Sequence, residues 1–163
     1  MTLSEFQVEA YRSLRSLHLR LKRTTIIVGA NGSGKSNLYK SLRLLAAAAH
    51  GKLARSIVDE GGMPSVLWSG ELSKKEHPRR LKLTIKLDGG LKYHLALGLP
   101  QLDATNPFPF DPLVKEEQVS WLSDGEKTVL FNRKAAAVAA RDSRGKRLNF
   151  FEELNHSDSI LSQ

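Results

Sequence analysis

The sequence predicts an α/β fold, a mixed sheet with antiparallel hairpins around one glycine-led helix. Three observations carry this. An apolar β-branched run, "TTIIV" from Thr24, enters a knot of glycines; apolar residues then recur at helical spacing from Leu38; and beyond Met63 the apolar period becomes two.

Each element follows from its pattern. In "LHLRL", Leu17, Leu19 and Leu21 lie on one face and His18, Arg20 and Lys22 on the other, as a half-solvated strand paired antiparallel to a neighbour requires. "TIIV" (Thr25 to Val28) is β-branched on both faces, which predicts a buried central strand running into Gly29. After Lys35, Leu38, Leu42 and Leu45 mark a helix, Ala46 to Ala49 extend it, and Gly51 is its expected C-cap. "LKLTIKL" and "LKYHLAL" flank Asp88-Gly89-Gly90, and "VSWL" and "TVLF" flank Asp124-Gly125; both read as β-hairpins whose turns need positive φ. "NPFPFDP" (Asn106 to Pro112) is a Pro-rich loop.

At 163 residues the chain fits one domain with a single core. Lys and Arg outnumber Asp and Glu by 25 to 17, a net charge of +8 that favours anionic partners such as nucleotides, nucleic acid or acidic proteins. With no cysteine, no long apolar stretch and acids where a signal peptide carries its basic region, the expected location is the cytoplasm, with no membrane segment.

Gly29-Ala30-Asn31-Gly32-Ser33-Gly34-Lys35-Ser36 fits G-x-x-x-x-G-K-[ST], the phosphate-binding loop. Glycines let the backbone wrap closely with its N–H groups inward, and the following helix N-terminus adds partial positive charge. Lys35 then reaches the β- and γ-phosphates of ATP, and Ser36 offers a hydroxyl to Mg²⁺. His94, Trp68 and Trp121 read as core or hairpin-face residues, and no metal-ligand cluster or nucleophile–His–acid set stands out.

"YRSLRSLHLRLKRTTIIVGANGSGKSNLYKSLRLL" (Tyr11 to Leu45) resembles the opening of ABC-type ATPase heads of the RecF and structural-maintenance-of-chromosomes (SMC) kind, including bacterial AAA family ATPases. The likeness continues more loosely through "LARSIVDEGGMPSVLWSG" (Leu53 to Gly70). The resemblance implies a P-loop NTPase N-terminal lobe within an ATP-dependent dimer that sandwiches two nucleotides and acts on DNA or a partner protein. It places Arg12 and Ser13 near the nucleotide, Asn31 to Ser36 around the phosphates and Asn37 beside the α-phosphate, with Arg55 as a charge-neutralising arginine. Arg12 reads equally as a solvated strand residue, and for Arg55 the solvated reading is the preferred one.

Hydrolysis in that family also needs a strand ending in Asp-Glu, a signature loop and a glutamine loop. "LSDGEK" (Leu122 to Lys127) and "NFFEEL" (Asn149 to Leu154) resemble the first two, which would assign the signature contact to Ser123 and water activation to Glu153. Against this, Asp124 brings a carboxylate toward a phosphate, "TVLF" favours a strand over a helix, and Asn149 interrupts the acidic strand. The hairpin is the preferred reading, and catalytic residues stay unassigned. Gln163 belongs either to a glutamine loop or to a loose terminus. The expectation is one nucleotide-binding lobe over residues 1–163, its phosphate-loop part at 1–70 and its strand-rich part at 71–163. The second lobe, with its acidic strand and signature, is then missing and supplied by further chain or a partner protein. The alternative is a nucleotide-holding switch or scaffold that does not turn ATP over.

Overall fold

The computed structural model describes residues 1–71, 79–100, 109–123, 125–135, 137–142, 145–148 and 156–162. Eight strands form a single sheet: β1 (Leu3–Tyr11), β2 (Leu14–Arg20), β3 (Leu81–Leu87), β4 (Leu91–Gly98), β5 (Leu113–Ser123), β6 (Glu126–Lys134), β7 (Ala137–Arg141) and β8 (Arg147–Leu148). Their order is β2-β1-β3-β4-β5-β6-β7-β8, and every pair is antiparallel. Three helices, α1 (Lys35–Ala49), α2 (Leu53–Asp59) and α3 (Met63–Val66), cover one face.

Alternation decides which face is covered. Phe6 and Val8 of β1, Leu81 and Leu83 of β3, and Tyr93, Leu95 and Leu97 of β4 point into one core with Leu38, Leu44, Leu45 and Ala48 of α1. Burying a side chain of this size contributes about 1.5–3 kcal/mol. Between them, Glu5, Gln7, Glu9, Lys82, Thr84 and Lys86 fall on the opposite, polar face. The Leu17–Leu19–Leu21 stripe packs against the core as its period predicts, and β2 pairs antiparallel with β1. Both expected hairpins form: β3–β4 turns through Gly89 and Gly90, each with φ near 95°, and β5–β6 pairs Ser123 with Glu126 around Gly125 at φ 84°. Residue 124, "NFFEEL" and Gln163 lie outside the described residues.

α1 ends as its alanine run and glycine suggest. Gly51 adopts φ 65°, Lys52 N–H reaches Ala47 O at 2.8 Å, and Gly51 N–H reaches Ala48 O at 3.4 Å, a Schellman closure with His50 as the cap and the glycine just after it.

Two expectations are overturned. The segment Thr25–Val28 is not a strand and is not buried: Ile26 is 82%, Ile27 45% and Val28 85% exposed. With that segment outside the sheet, the expected mixed sheet becomes an antiparallel one among the described strands. The physical reason is pairing. A β-branched run becomes a central strand only when neighbours bond both its edges, and no described strand pairs with Thr25–Val28.

A charged pair lies inside the core layer. Glu117 and Arg133, cross-strand partners on β5 and β6, are 0% and 1% exposed, 3.9 Å apart. Glu117 Oε1 accepts from Tyr93 Oη at 2.7 Å, Ser159 Oγ at 2.6 Å and Ile160 N–H at 3.0 Å, while Arg133 donates to Asp158 O at 2.9 Å. Burial first, and then the Glu117 charge, push the Tyr93 phenol far above its ordinary range. This polar knot fastens residues 156–162 onto the sheet.

Glu117→Ala should therefore cost about 3–5 kcal/mol, because it strands the Arg133 charge in the interior and frees the 156–162 segment. Urea denaturation checks this. Ile26→Thr and Val28→Thr, by contrast, should each change stability by less than about 0.5 kcal/mol, as exposed positions do; a loss of about 2 kcal/mol would mean that the run is buried after all. A third expectation concerns pH. Burial, chiefly, holds the His94 pKa below its ordinary 6.5, with Lys82 and Lys92 adding to it and Glu116 and Glu9 opposing it. The unfolded chain then takes up the proton first, so this contribution to stability is present above pH 6.5 and is lost as pH falls through the depressed value. A thermal-melt series across that range should lose its slope partly in His94→Gln.

Candidate nucleotide-binding site

The glycine knot sits where β2 hands the chain to α1. Gly34 is the N-cap of α1, with φ 93° and no side-chain cap, so the N–H groups of Lys35, Ser36 and Asn37 precede the first helical bond, Leu38 N–H to Gly34 O at 2.9 Å. A fifteen-residue helix thus presents its positive end at the knot. Gly32 holds φ 80°, the other left-handed turn in the loop. Lys35 curls back over these turns: its ammonium donates to Gly29 O at 2.5 Å, Ala30 O at 2.6 Å and Ser33 Oγ at 3.4 Å.

The two-residue turn between β1 and β2 buttresses this loop. Ser13 Oγ accepts from Asn37 Nδ2 at 2.7 Å, so the turn is bonded to the first turn of α1. A Cβ on Gly34 would lie 3.1 Å from Leu14 Cδ2 and 3.3 Å from Ser13 Oγ, a tight approach at a left-handed φ of 93° that favours glycine. The turn is itself pinned from behind. Arg12 N–H donates to Val66 O at 2.8 Å, Trp68 N–H donates to Ala10 O at 3.0 Å, and Ala10 and Arg12 take φ values of 56° and 48°.

The geometry separates residues that sequence grouped together. Ser13, Gly29, Ala30, Ser33, Gly34, Lys35 and Asn37 share contacts at the helix start, and Asn31, Gly32 and Ser36 complete the exposed loop. Arg12 turns instead to Glu60 after α2: its Nε donates to Glu60 Oε2 at 2.8 Å, Nη2 lies 2.7 Å from the same oxygen, and Tyr11 Oη donates to it at 2.8 Å. Burial works against the Arg12 charge, yet these bonds outweigh burial and raise its pKa. Burial, with Glu60 adding to it, also drives the Tyr11 phenol well up. Arg55 on α2 is exposed and stands 4.0 Å from Asp59 one turn on. Sequence reading passed over Glu60, whose only local mark is its place before the Gly61-Gly62 turn.

The donor set suits a phosphate: uncapped helical N–H groups, two left-handed glycines and a lysine within reach of the loop. For Mg²⁺, the loop offers the exposed Ser36 hydroxyl, and no group of three carboxylates or imidazoles gathers around a metal position among the described residues. No helix among the described residues is long and apolar enough to cross a membrane.

Gly34→Ala should destabilise the chain by about 1–2 kcal/mol from the left-handed φ. Chemical denaturation measures the loss. Gly32→Ala, with nothing within 4 Å of its Cβ, should show the backbone cost only.

A search of curated proteins gives no match. A family profile described as AAA ATPase domain matches residues 1–121, which span β1, the glycine loop, all three helices and the sheet into β5. On that match, and with the loop geometry in agreement, the chain belongs to the AAA ATPase domain family.

Proposed function

We propose that this protein is the ATP-binding lobe of an ABC/SMC/RecF-like ATPase, holding Mg-ATP through Gly29 to Ser36. Membership of the AAA ATPase domain family supports nucleotide binding in general. The observation that carries the finer reading is the uncapped start of α1 at Gly34, with Lys35 folded into the loop. In this reading the N–H groups of residues 31–36 surround the β-phosphate, Lys35 exchanges the Gly29 and Ala30 carbonyls for phosphate oxygens, and Ser36 contributes one oxygen to Mg²⁺. Ser13 and Asn37 line the α-phosphate side, and Arg12 reaches the nucleotide only by leaving Glu60.

The exposed Thr25–Val28 run supports a second part of the proposal. Ile26, Ile27 and Val28 each stand to contribute about 1.5–3 kcal/mol on burial, which a neighbouring strand would realise. A second lobe, from further chain or from a partner protein, supplies that strand and completes a nucleotide-dependent dimer acting on DNA or on a protein. Residues 1–163 then act as one lobe that binds ATP without efficient turnover. The Ser123–Glu126 pairing supports this, because it makes the signature-like stretch a hairpin. A nucleotide-holding switch or scaffold is the rival reading.

ATP with Mg²⁺ should raise the melting temperature, since ligand at a hundredfold excess over Kd adds about 2.7 kcal/mol. Lys35→Ala should abolish the shift and Lys52→Ala, outside the loop, should keep it. No response to millimolar ATP in calorimetry would refute the site. Phosphate release by the chain should stay far below about 1 s⁻¹; faster release that disappears in Lys35→Ala and Glu153→Gln would instead assign hydrolysis to this chain.

A further inference from the structure

The polar face of the sheet is divided by charge. On its β1–β5 side several cations are answered by carboxylates: Lys82 bonds Glu9 at 2.9 Å, Lys86 lies 3.6 Å from Glu5, and Arg80 pairs with Glu116, while Lys92, cross-strand from Lys86, forms no ion pair among the described residues. Arg79 donates to Gly70 O at 2.9 Å. The β5–β8 side differs. Arg141 and Arg147 are direct cross-strand partners on β7 and β8, both exposed, and neither forms an ion pair among the described residues. Two like charges set opposite one another on adjacent strands repel and weaken the pairing.

Those two arginines edge an open cavity of about 330 Å³ whose floor includes Gln118, Val129, Asn132 and Ala139. The floor is ordered by its own bonds. Gln118 Nε2 donates to Asn132 Oδ1 at 3.1 Å, and Lys127 Nζ donates to Gln118 Oε1 at 2.7 Å, which brings a third cation beside the amide pair. With its oxygen engaged, Asn132 keeps its amide N–H groups for a ligand. The small Ala139 leaves the floor low between β6 and β7. Of the acids on this side, Asp142 accepts from Lys146 N–H at 2.9 Å, and Glu126 lies at the far hairpin end.

We propose that the Arg141–Arg147 pair over the Gln118–Asn132 floor binds a phosphate group of a nucleic-acid backbone. Paired guanidiniums on β7 and β8, with the Asn132 amide on the neighbouring β6 lining the same cavity, suit a phosphodiester oxygen pair, and an oxyanion there offsets the repulsion of the two arginines. The cavity is open on a sheet face, so a strand can pass across it; a free nucleotide would find no aromatic platform among its lining residues. This inference gives the nucleic-acid branch of the proposed function a place, and it is independent of the Gly29–Ser36 loop.

The test is fluorescence anisotropy of a short labelled DNA duplex with the full 163-residue chain, without nucleotide, over a series of salt concentrations. Arg141→Gln/Arg147→Gln should weaken binding about tenfold at low salt and make the slope of log affinity against log salt shallower by about 2. Its melting temperature should not fall, since a repulsion is removed. Arg43→Gln/Lys52→Gln removes the same charge from the helical layer and should bind within about twofold of the parent chain, because screening mutes charges far from the contact. Should the first double variant fail to fold, Arg141→Lys/Arg147→Lys, which keeps both charges, should preserve the salt slope and lose affinity. Four results would overturn the proposal: no duplex binding by the parent chain, equal losses in the two glutamine double variants, displacement of the duplex by inorganic phosphate at matched ionic strength and equimolar level, or a lysine double variant indistinguishable from the parent chain.

Discussion

The approach of the β1–β2 turn to the first turn of α1 is the contact on which the rest of the arrangement depends. It favours a residue without a Cβ at position 34, because the backbone there is left-handed, with φ 93°, and Leu14 and Ser13 come within 3.1 and 3.3 Å of where a Cβ would sit. Given that glycine, one hydrogen bond from Asn37 to Ser13 ties helix to sheet, and Leu38, Leu44, Leu45 and Ala48 then descend onto Phe6, Val8 and Tyr11. The same close approach leaves the helix N-terminus uncapped by any side chain. A capping side chain there would satisfy the helix N–H groups that the glycine leaves uncapped.

Behind the turn, Glu60 gathers Tyr11 and Arg12 onto one carboxylate oxygen, and at the far side of the core Glu117 gathers Tyr93, Ser159 and the Ile160 amide onto another. Both are convergent acceptors in a low-dielectric setting, where unmet polar groups are costly. They serve different parts of the chain. The Glu60 set holds the turn that meets the loop, and its arginine is partly exposed. The Glu117 set is buried and fastens the last described segment, whose 3-10 turn at Ile160–Ser162 comes back to α1 near Gly51.

The apolar run before the loop shows what sheet formation needs. Ile26, Ile27 and Val28 have the composition of a strand interior, yet composition supplies no hydrogen-bond partner, and the antiparallel sheet closes around β1 without them.

Local pattern determined much on its own. The two hairpins follow from period-two apolar residues around glycine turns, α1 and its end follow from helical spacing and Gly51, and the loop follows from glycines spaced before Lys35, because each is specified by residues a few positions apart. The alternation of Phe6 and Val8 with Glu5, Gln7 and Glu9 marks β1 as well, a signal that was there to be used. What only the tertiary structure decided are the pairings over long separations: that Arg12 engages Glu60, that Glu117 and Arg133 are interior while Arg141 and Arg147 stand opposed at the edge, and that Thr25–Val28 stays outside the sheet. A charge in a sequence carries no record of the strand that will lie beside it. Whether it is neutralised, buried or left facing solvent is set by register, and register is a property of the folded sheet.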